Sequence, residues 1–275
     1  MTVPRLTILE RLEAERLTED NGFGLPQEEV DGWLTFTGLA CPQRLWITRH
    51  DEHWLIGLAH SGVMTEVAAD TLAAPLARPD GGPAVVVEAL GPIIRRLFRL
   101  ARSLPTAPLD SFVLRTGALP RSTEAERLVV QRIGQDIFRT ALLDYWGGVC
   151  PLTGISHPRL LRASHMQPWA NCATDAERLD VHNGLLLAAH LDAAFDAGLI
   201  TFTDAGAVLV SPALPPADRA CLGLETLPSL TGLKAAHLQY LVIHQTTVFK
   251  ASAGPGGVRL SGNLSVASQG CTSAP

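Results

Sequence analysis

The sequence predicts an α+β protein, in which an N-terminal mixed α/β region is followed by a region of longer helices and short strands. Strand-like runs rich in β-branched and aromatic residues occur within the first ninety residues, separated by turn-forming residues. Amphipathic helical periodicity flanks these runs on both sides. A second long helical pattern, preceded by a capping signal, begins near residue 122. With 275 residues the chain can form two domains that each bury a core.

The N-terminal elements follow from these patterns. Leucines at roughly helical spacing predict a helix over residues 3–20, and an alternation of aliphatic residues with arginines predicts an amphipathic helix over 92–104. Together with the strands they predict a compact domain over residues 1–105. Four predicted strands share a β-branched or aromatic composition: Trp33–Leu39, Leu45–Thr48, Trp54–Ala59 and Val85–Ala89.

A change of composition separates the two regions. Residues 106–121 are rich in Pro, Thr, Ser and Gly, which predicts a linker. A long helix then begins after Ser122 or Thr123, because Thr123 and Glu126 have the spacing of a capping box. Gly147-Gly148 is expected to end this helix, since glycine readily adopts the left-handed conformation found after helices.

Further elements are predicted towards the C-terminal end. The patterns indicate a helix over Ala188–Ala197, a strand pair over Leu199–Thr203 and Val208–Val210, and a last helix over Leu233–Lys250. Residues 251–275 contain no core-forming pattern and are predicted to be a disordered tail.

Composition restricts the class of protein. Acidic residues outnumber basic ones, 27 to 22, so DNA binding would need a local basic patch. The chain contains no run of about 18–20 apolar residues, which a membrane helix requires, and its mixed-charge beginning does not resemble a signal peptide. We therefore expect a cytoplasmic protein without membrane contact. Its five scattered cysteines form no C-x-x-C pair, so neither a disulfide framework nor a structural zinc is expected.

Three features in residues 150–198 are typical of a chemical site. His165 is followed by Pro168, which stops helices and leaves the histidine in an extended or turning segment. Asn183 forms an Asn-Gly turn signal eighteen positions later. Asp192 and Asp196 lie four apart on a predicted helix and so share one face. Two neighbouring carboxylates repel each other unless a cation lies between them.

The segments that contain these residues resemble the motifs of a known protein family. The segments LLRASHMQPW (160–169), NGLLL (183–187) and DAAFDAGLI (192–200) are similar to the motifs of HNH endonucleases, in the restriction-type branch. The similarity extends over about residues 122–250. It implies a ββα-metal domain with flanking helices, which would cleave the DNA backbone.

The resemblance also implies roles for individual residues. His165 would be the general base that activates water, and Asn183 would pin the loop and orient that histidine. Asp192 and Asp196 would bind the metal ion. Because carboxylate oxygens are hard ligands, we expect Mg²⁺ or Mn²⁺.

One position departs from the family pattern. Many HNH proteins have Asp or His immediately before the base, but this chain has Ser164, which is a weak ligand. A water molecule, His190, His182 or Asp180 would fill the gap, and His190 competes with Asp196 as a ligand. The number of metal ligands therefore stays open.

Arginines provide candidate contacts to double-stranded DNA. Arg139 and Arg162 lie within the resemblance, and residues 1–105 are interpreted as a DNA-recognition domain, with modified DNA as a possible target. A homodimer would suit double-strand cleavage. The alternatives are a catalytically silent HNH-fold module, which Ser164 favours, and a non-specific nuclease or toxin. The DNA-contacting arginines expected in the N-terminal domain lie on one predicted helix: Arg95, Arg96, Arg99 and Arg102.

Overall fold

The computed structural model describes residues 5–104 and 106–252. They form the predicted α+β fold, with helices packed against small antiparallel sheets. No helix of these two ranges is both long enough and apolar enough to cross a membrane. The helices are α1 (Ile8–Asp20), α2 (Ser61–Ala68), α3 (Leu90–Ser103), α4 (Thr106–Thr116), α5 (Glu124–Tyr145), α6 (Asp175–Leu179), α7 (Ala189–Asp196), α8 (Pro216–Cys221) and α9 (Ala235–Thr247).

Six strands form an antiparallel sheet in the N-terminal region, in the order β1-β2-β3-β4-β6-β5. The four predicted strands are confirmed as β2, β3, β4 and β6, and α1 and α3 confirm the two predicted helices. The composition did not predict α2 or the two-residue strands β1 and β5. The strands are β1 (Leu25–Pro26), β2 (Leu34–Gly38), β3 (Cys41–His50), β4 (His53–Leu58), β5 (Leu72–Ala73) and β6 (Val85–Val87).

The segment predicted as a linker, 106–121, contains a helix instead. Thr106–Thr116 forms α4, which packs against α3 and α5 and buries Phe112. Pro108 lies in the first turn, where a missing backbone N–H removes no hydrogen bond of the helix. The linker prediction was wrong because it relied on the proline and threonine content, whereas the segment forms a helix with a buried apolar face.

Helix α5 connects the two regions. The Thr123 side chain accepts a hydrogen bond from the Glu126 backbone N–H, and the Glu126 carboxylate accepts one from the Thr123 N–H. This capping box was predicted. Gly147 and Gly148 end the helix with φ angles of +71° and +72°, also as predicted.

Two antiparallel strand pairs follow α5. Strands β7 (Leu161–His165) and β8 (Gly184–Ala188) pair antiparallel, with His165 opposite Gly184, and α7 follows β8 directly. This ββα unit packs against α5. Strands β9 (Ile200–Phe202) and β10 (Val208–Val210) confirm the second predicted strand pair, and α9 confirms the last helix. The predicted disordered tail lies outside the described residues from 253 onwards.

Candidate active site

His165 lies at the end of β7, between aromatic rings. Its imidazole stacks on Phe138 of α5, with ring centroids 3.8 Å apart and an angle of 15° between the planes. Trp169 meets it edge-on at 5.6 Å. The Nε2 atom lies 3.0 Å from the backbone carbonyl oxygen of Arg178. These contacts fix the plane and the rotation of the ring.

The hydrogen bond of His165 determines which nitrogen can act as a base. A carbonyl oxygen only accepts hydrogen bonds, so Nε2 carries the proton of the neutral ring and Nδ1 keeps its lone pair. Burial among the rings lowers the pKa of His165 to about 4, and the bond to the Arg178 carbonyl offsets only part of this effect. At neutral pH the imidazole is therefore uncharged and able to accept a proton at Nδ1.

Asn183 is fully buried and holds the loop that joins β7 to β8. Its Oδ1 accepts a hydrogen bond from the Gln167 N–H at 2.8 Å, and its Nδ2 donates to the carbonyl oxygens of Gln167 and Glu177. The Glu177 carbonyl neighbours the Arg178 carbonyl that binds His165. Asn183 thus holds the loop beside His165, and its described hydrogen bonds do not reach the imidazole directly.

Ser164 and the two aspartates lie where β7 meets α7. The buried Ser164 hydroxyl donates to Asp192 Oδ1 at 2.6 Å, so the side chain that departs from the family pattern contacts a predicted metal ligand. Asp196 is exposed as a whole residue, but protein atoms around its carboxyl group exclude part of the water. This burial and the negative charge of Asp192 raise the pKa of Asp196 to about 6.

The donor set fits a hard cation with an incomplete protein shell. Within the described ranges, no group of three or more His, Cys, Asp or Glu side chains could hold a metal ion together. Mg²⁺ is often bound by one or two carboxylates, with water and substrate phosphate completing the shell, and the carboxylates of Asp192 and Asp196 are ligands of the type it prefers. His182 and Asp180 bind each other, which occupies two of the alternative ligands. His190 is exposed on the first turn of α7.

A cleft of about 530 Å³ opens beside His165, and Asp196 lies on its wall. Arg139, Arg162 and Trp169 line it as well. Both terminal nitrogens of Arg139 donate to backbone carbonyls of the segment that leads into β7. Arg162 is exposed, and its Nη1 donates to the carbonyls of Arg159 and Leu161. The cleft brings together a neutral base, a carboxylate and two guanidinium groups, which is a combination suited to a phosphodiester.

Comparison with known families agrees with this geometry. Residues 150–203 match the family model described as HNH endonuclease. This segment is therefore similar to the HNH endonuclease family, and we call it the HNH domain. The matched range includes the ββα unit, His165, Asn183 and both aspartates. The restriction-type branch is not part of this finding, and no curated protein matches the chain.

The predicted DNA-binding arginines of α3 lie away from the HNH cleft. Arg95 and Arg96, with Arg99, line a second cleft of about 580 Å³. Arg96 forms an ion pair with Asp70 at 2.6 Å. The Arg95 Nε donates to the Asn21 side chain. The Arg102 Nε lies 3.5 Å from an Asp144 carboxylate oxygen. The acidic partners neutralise part of the positive charge of α3. Contact between these arginines and DNA stays a prediction.

The sequence did not reveal several residues that shape the HNH site. Phe138 was predicted only as an apolar position of α5, although its ring stacks on His165. Arg178 and Gln167 contact the site through backbone atoms, so their residue types do not predict these contacts. Their positions depend on how the loop between β7 and β8 folds back, which local patterns do not report.

Proposed function

We propose that the chain is a metal-dependent DNA endonuclease whose HNH domain hydrolyses phosphodiester bonds. The observation that carries the proposal is the placement of His165: its Nε2 bonds the Arg178 carbonyl, its Nδ1 has no hydrogen-bond partner among the described residues, and it lines a cleft with Asp196, Arg139 and Arg162. Burial lowers its pKa to about 4, which favours the neutral ring. The family match to HNH endonucleases supports the same chemistry.

In the proposed reaction, His165 Nδ1 takes a proton from a water molecule. The resulting hydroxide attacks phosphorus, and the bond to the leaving oxygen breaks. Asp192 and Asp196 would hold a divalent metal, Mg²⁺ or Mn²⁺, which when bound stabilises the negative charge on the phosphate and the leaving oxygen. Arg162 and Arg139 would bind neighbouring phosphates. Asn183 would keep the loop in the conformation that orients the base.

The N-terminal region is proposed to direct the enzyme to its DNA. Its six-stranded sheet has a substantial core, and α3 packs on α5, so a reader and the HNH domain would share one framework. A restriction-type enzyme that recognises modified double-stranded DNA fits this arrangement. A symmetric dimer would place two HNH domains on two strands.

Plasmid cleavage tests the proposal. Supercoiled plasmids from modification-proficient and modification-deficient hosts would be incubated with Mg²⁺ or Mn²⁺ and the intact chain, His165→Ala or His53→Ala. His53 is exposed on β4, so its replacement is the matched control. Nicking that is lost only in His165→Ala supports the nuclease, and dependence on the host supports the reader. Absence of cleavage on every plasmid would contradict the catalytic proposal.

A catalytically silent HNH module is the second candidate. The specific observation that favours it is the Ser164–Asp192 hydrogen bond, which occupies a carboxylate oxygen that a metal would use. Calorimetric titration of Mn²⁺ into the wild type and Asp192→Asn separates the candidates. Binding that the variant loses favours the nuclease. Undetectable binding, combined with retained DNA affinity, favours the silent module.

A further inference from the structure

A second group of buried polar side chains lies where the N-terminal region meets the HNH domain. We name it the Glu66 cluster. The carboxylate of Glu66 on α2 lies 3.1 Å from His182 Nε2, and Asp180 Oδ1 lies 2.9 Å from His182 Nδ1. The Tyr240 hydroxyl donates to Asp180 at 3.1 Å, and the Tyr145 hydroxyl donates to Glu66 at 3.4 Å. The His182 side chain is only 9% exposed.

The charges in the Glu66 cluster make the contact between regions specific. Burial alone would lower the pKa of His182, but the hydrogen bonds and charges of Asp180 and Glu66 outweigh it and raise the pKa to about 9. The same interactions lower the pKa values of Glu66 and Asp180. His237 packs against the ring at 4.9 Å, and its pKa is lowered to about 4, so it adds no charge at neutral pH. Lys234 is paired with Asp70 instead.

The Glu66 cluster joins directly to the support of the candidate base. His182 precedes Asn183 in one short turn, Val181–Asn183, and the Asp180 carboxylate also accepts the His182 backbone N–H. Asn183 in turn binds the Gln167 backbone through its side chain, and its carbonyl accepts from the Met166 N–H. Met166 follows His165. A continuous series of contacts therefore runs from α2 to the base.

We propose that Glu66 is a positioning residue of the HNH site: from the N-terminal region, it holds His182 and the Val181–Asn183 turn, and through them the loop that orients His165. This inference rests on the proposed function only for its consequence on cleavage. Its structural part concerns the loop, so the two can fail separately. The proposal gives the N-terminal region a role in assembling the HNH site in addition to binding DNA.

Hydrogen exchange and kinetics on the full chain test the proposal, with Glu66→Gln compared with Glu88→Gln. The glutamine keeps the shape of Glu66 and removes its charge, and Glu88 is an exposed glutamate that follows β6. In Glu66→Gln we expect the Gln167 amide to exchange at least tenfold faster. We expect kcat for plasmid nicking to fall by about 10- to 100-fold with KM unchanged, because a misplaced base slows chemistry and not binding. Glu88→Gln should match the wild type.

Two outcomes would overturn the proposal: unchanged Gln167 exchange in Glu66→Gln, or protection lost evenly along the whole chain, which would make Glu66 merely a stabilising residue. If Glu66→Gln does not fold, Tyr145→Phe gives the milder test, since it removes one donor to Glu66. If the wild type cleaves no DNA, the proposed function fails, and the exchange of Gln167 alone decides the present inference.

Discussion

His165 and His182 lie seventeen residues apart in the HNH domain, yet opposite kinds of side chain surround them. Phe138 and Trp169 enclose His165, whereas Glu66 and Asp180 bind both nitrogens of His182. The first environment lowers the pKa of its histidine to about 4, and the second raises the pKa to about 9. The same residue type is thus neutral in one place and charged in the other at neutral pH, because hydrogen-bonding partners and burial decide its protonation.

The largest effect is expected from the removal of His165. His165→Ala should lower the single-turnover rate of DNA cleavage by about 10²–10⁴-fold, since a positioned general base contributes about that much. Rapid-quench measurements with saturating enzyme and Mg²⁺ report this rate. Replacement of the exposed His53 should leave it unchanged. A His165→Ala rate within a few-fold of the wild type would show that His165 is not the base.

Asn183, which lies between the two environments, should also matter for stability. Asn183→Ala removes, at a fully buried position, the acceptor of the Gln167 N–H, and an unsatisfied buried group costs about 1–3 kcal/mol. We therefore expect the free energy of unfolding in urea to fall by at least that amount. Asn171→Ala is the control, because that side chain is exposed in the same loop. Equal unfolding midpoints for the two variants would contradict the pinning role.

A side chain that crowds Phe138, on which His165 stacks, should destabilise the fold. A methyl group at Gly184 would come within 2.5 Å of Phe138 Cζ and 2.8 Å of a Leu142 methyl carbon. Gly184→Ala should lower the free energy of unfolding by about 1–3 kcal/mol, as overpacked cores do. Gly91→Ala is the control, because its methyl group would meet Leu17 at an ordinary 3.5 Å. Thermal denaturation of both variants checks this prediction, and equal stability would contradict it.

Stability should also depend on pH, with a decline on the acidic side and another on the alkaline side. An unfolded histidine titrates near ~6.5. His165, His237 and His244 have folded pKa values lowered to about 4, so their contribution is lost as pH falls from 6.5 towards 4. The raised pKa of His182 has the opposite effect: its contribution to the free energy of unfolding is complete below pH 6.5 and is lost as pH rises through 9. Melting temperatures should decline on both sides, and His182→Gln should remove the decline between pH 6.5 and 9.

The sequence predicted the parts of this comparison that depend on residue type and spacing. The capping box of α5, the main strands of the N-terminal sheet and the motif order His165, Asn183, Asp192 were all readable locally. The environments of the histidines were not, because Phe138 and Glu66 come from elements distant in the chain. The linker prediction over 106–121 failed for a related reason: the helix α4 is stabilised by packing on α3 and α5, and its own composition resembles a loop.

The most direct test of the account is a ¹H–¹⁵N long-range correlation spectrum of the histidine-labelled chain at pH 6.5, with assignments made from His165→Ala and His182→Gln. The nitrogen shifts distinguish the charged ring from the two neutral tautomers. We expect His165 to be neutral with its proton on Nε2 and His182 to be doubly protonated. A charged His165, or a neutral His165 with its proton on Nδ1, would contradict the assignment of its Nδ1 as the base.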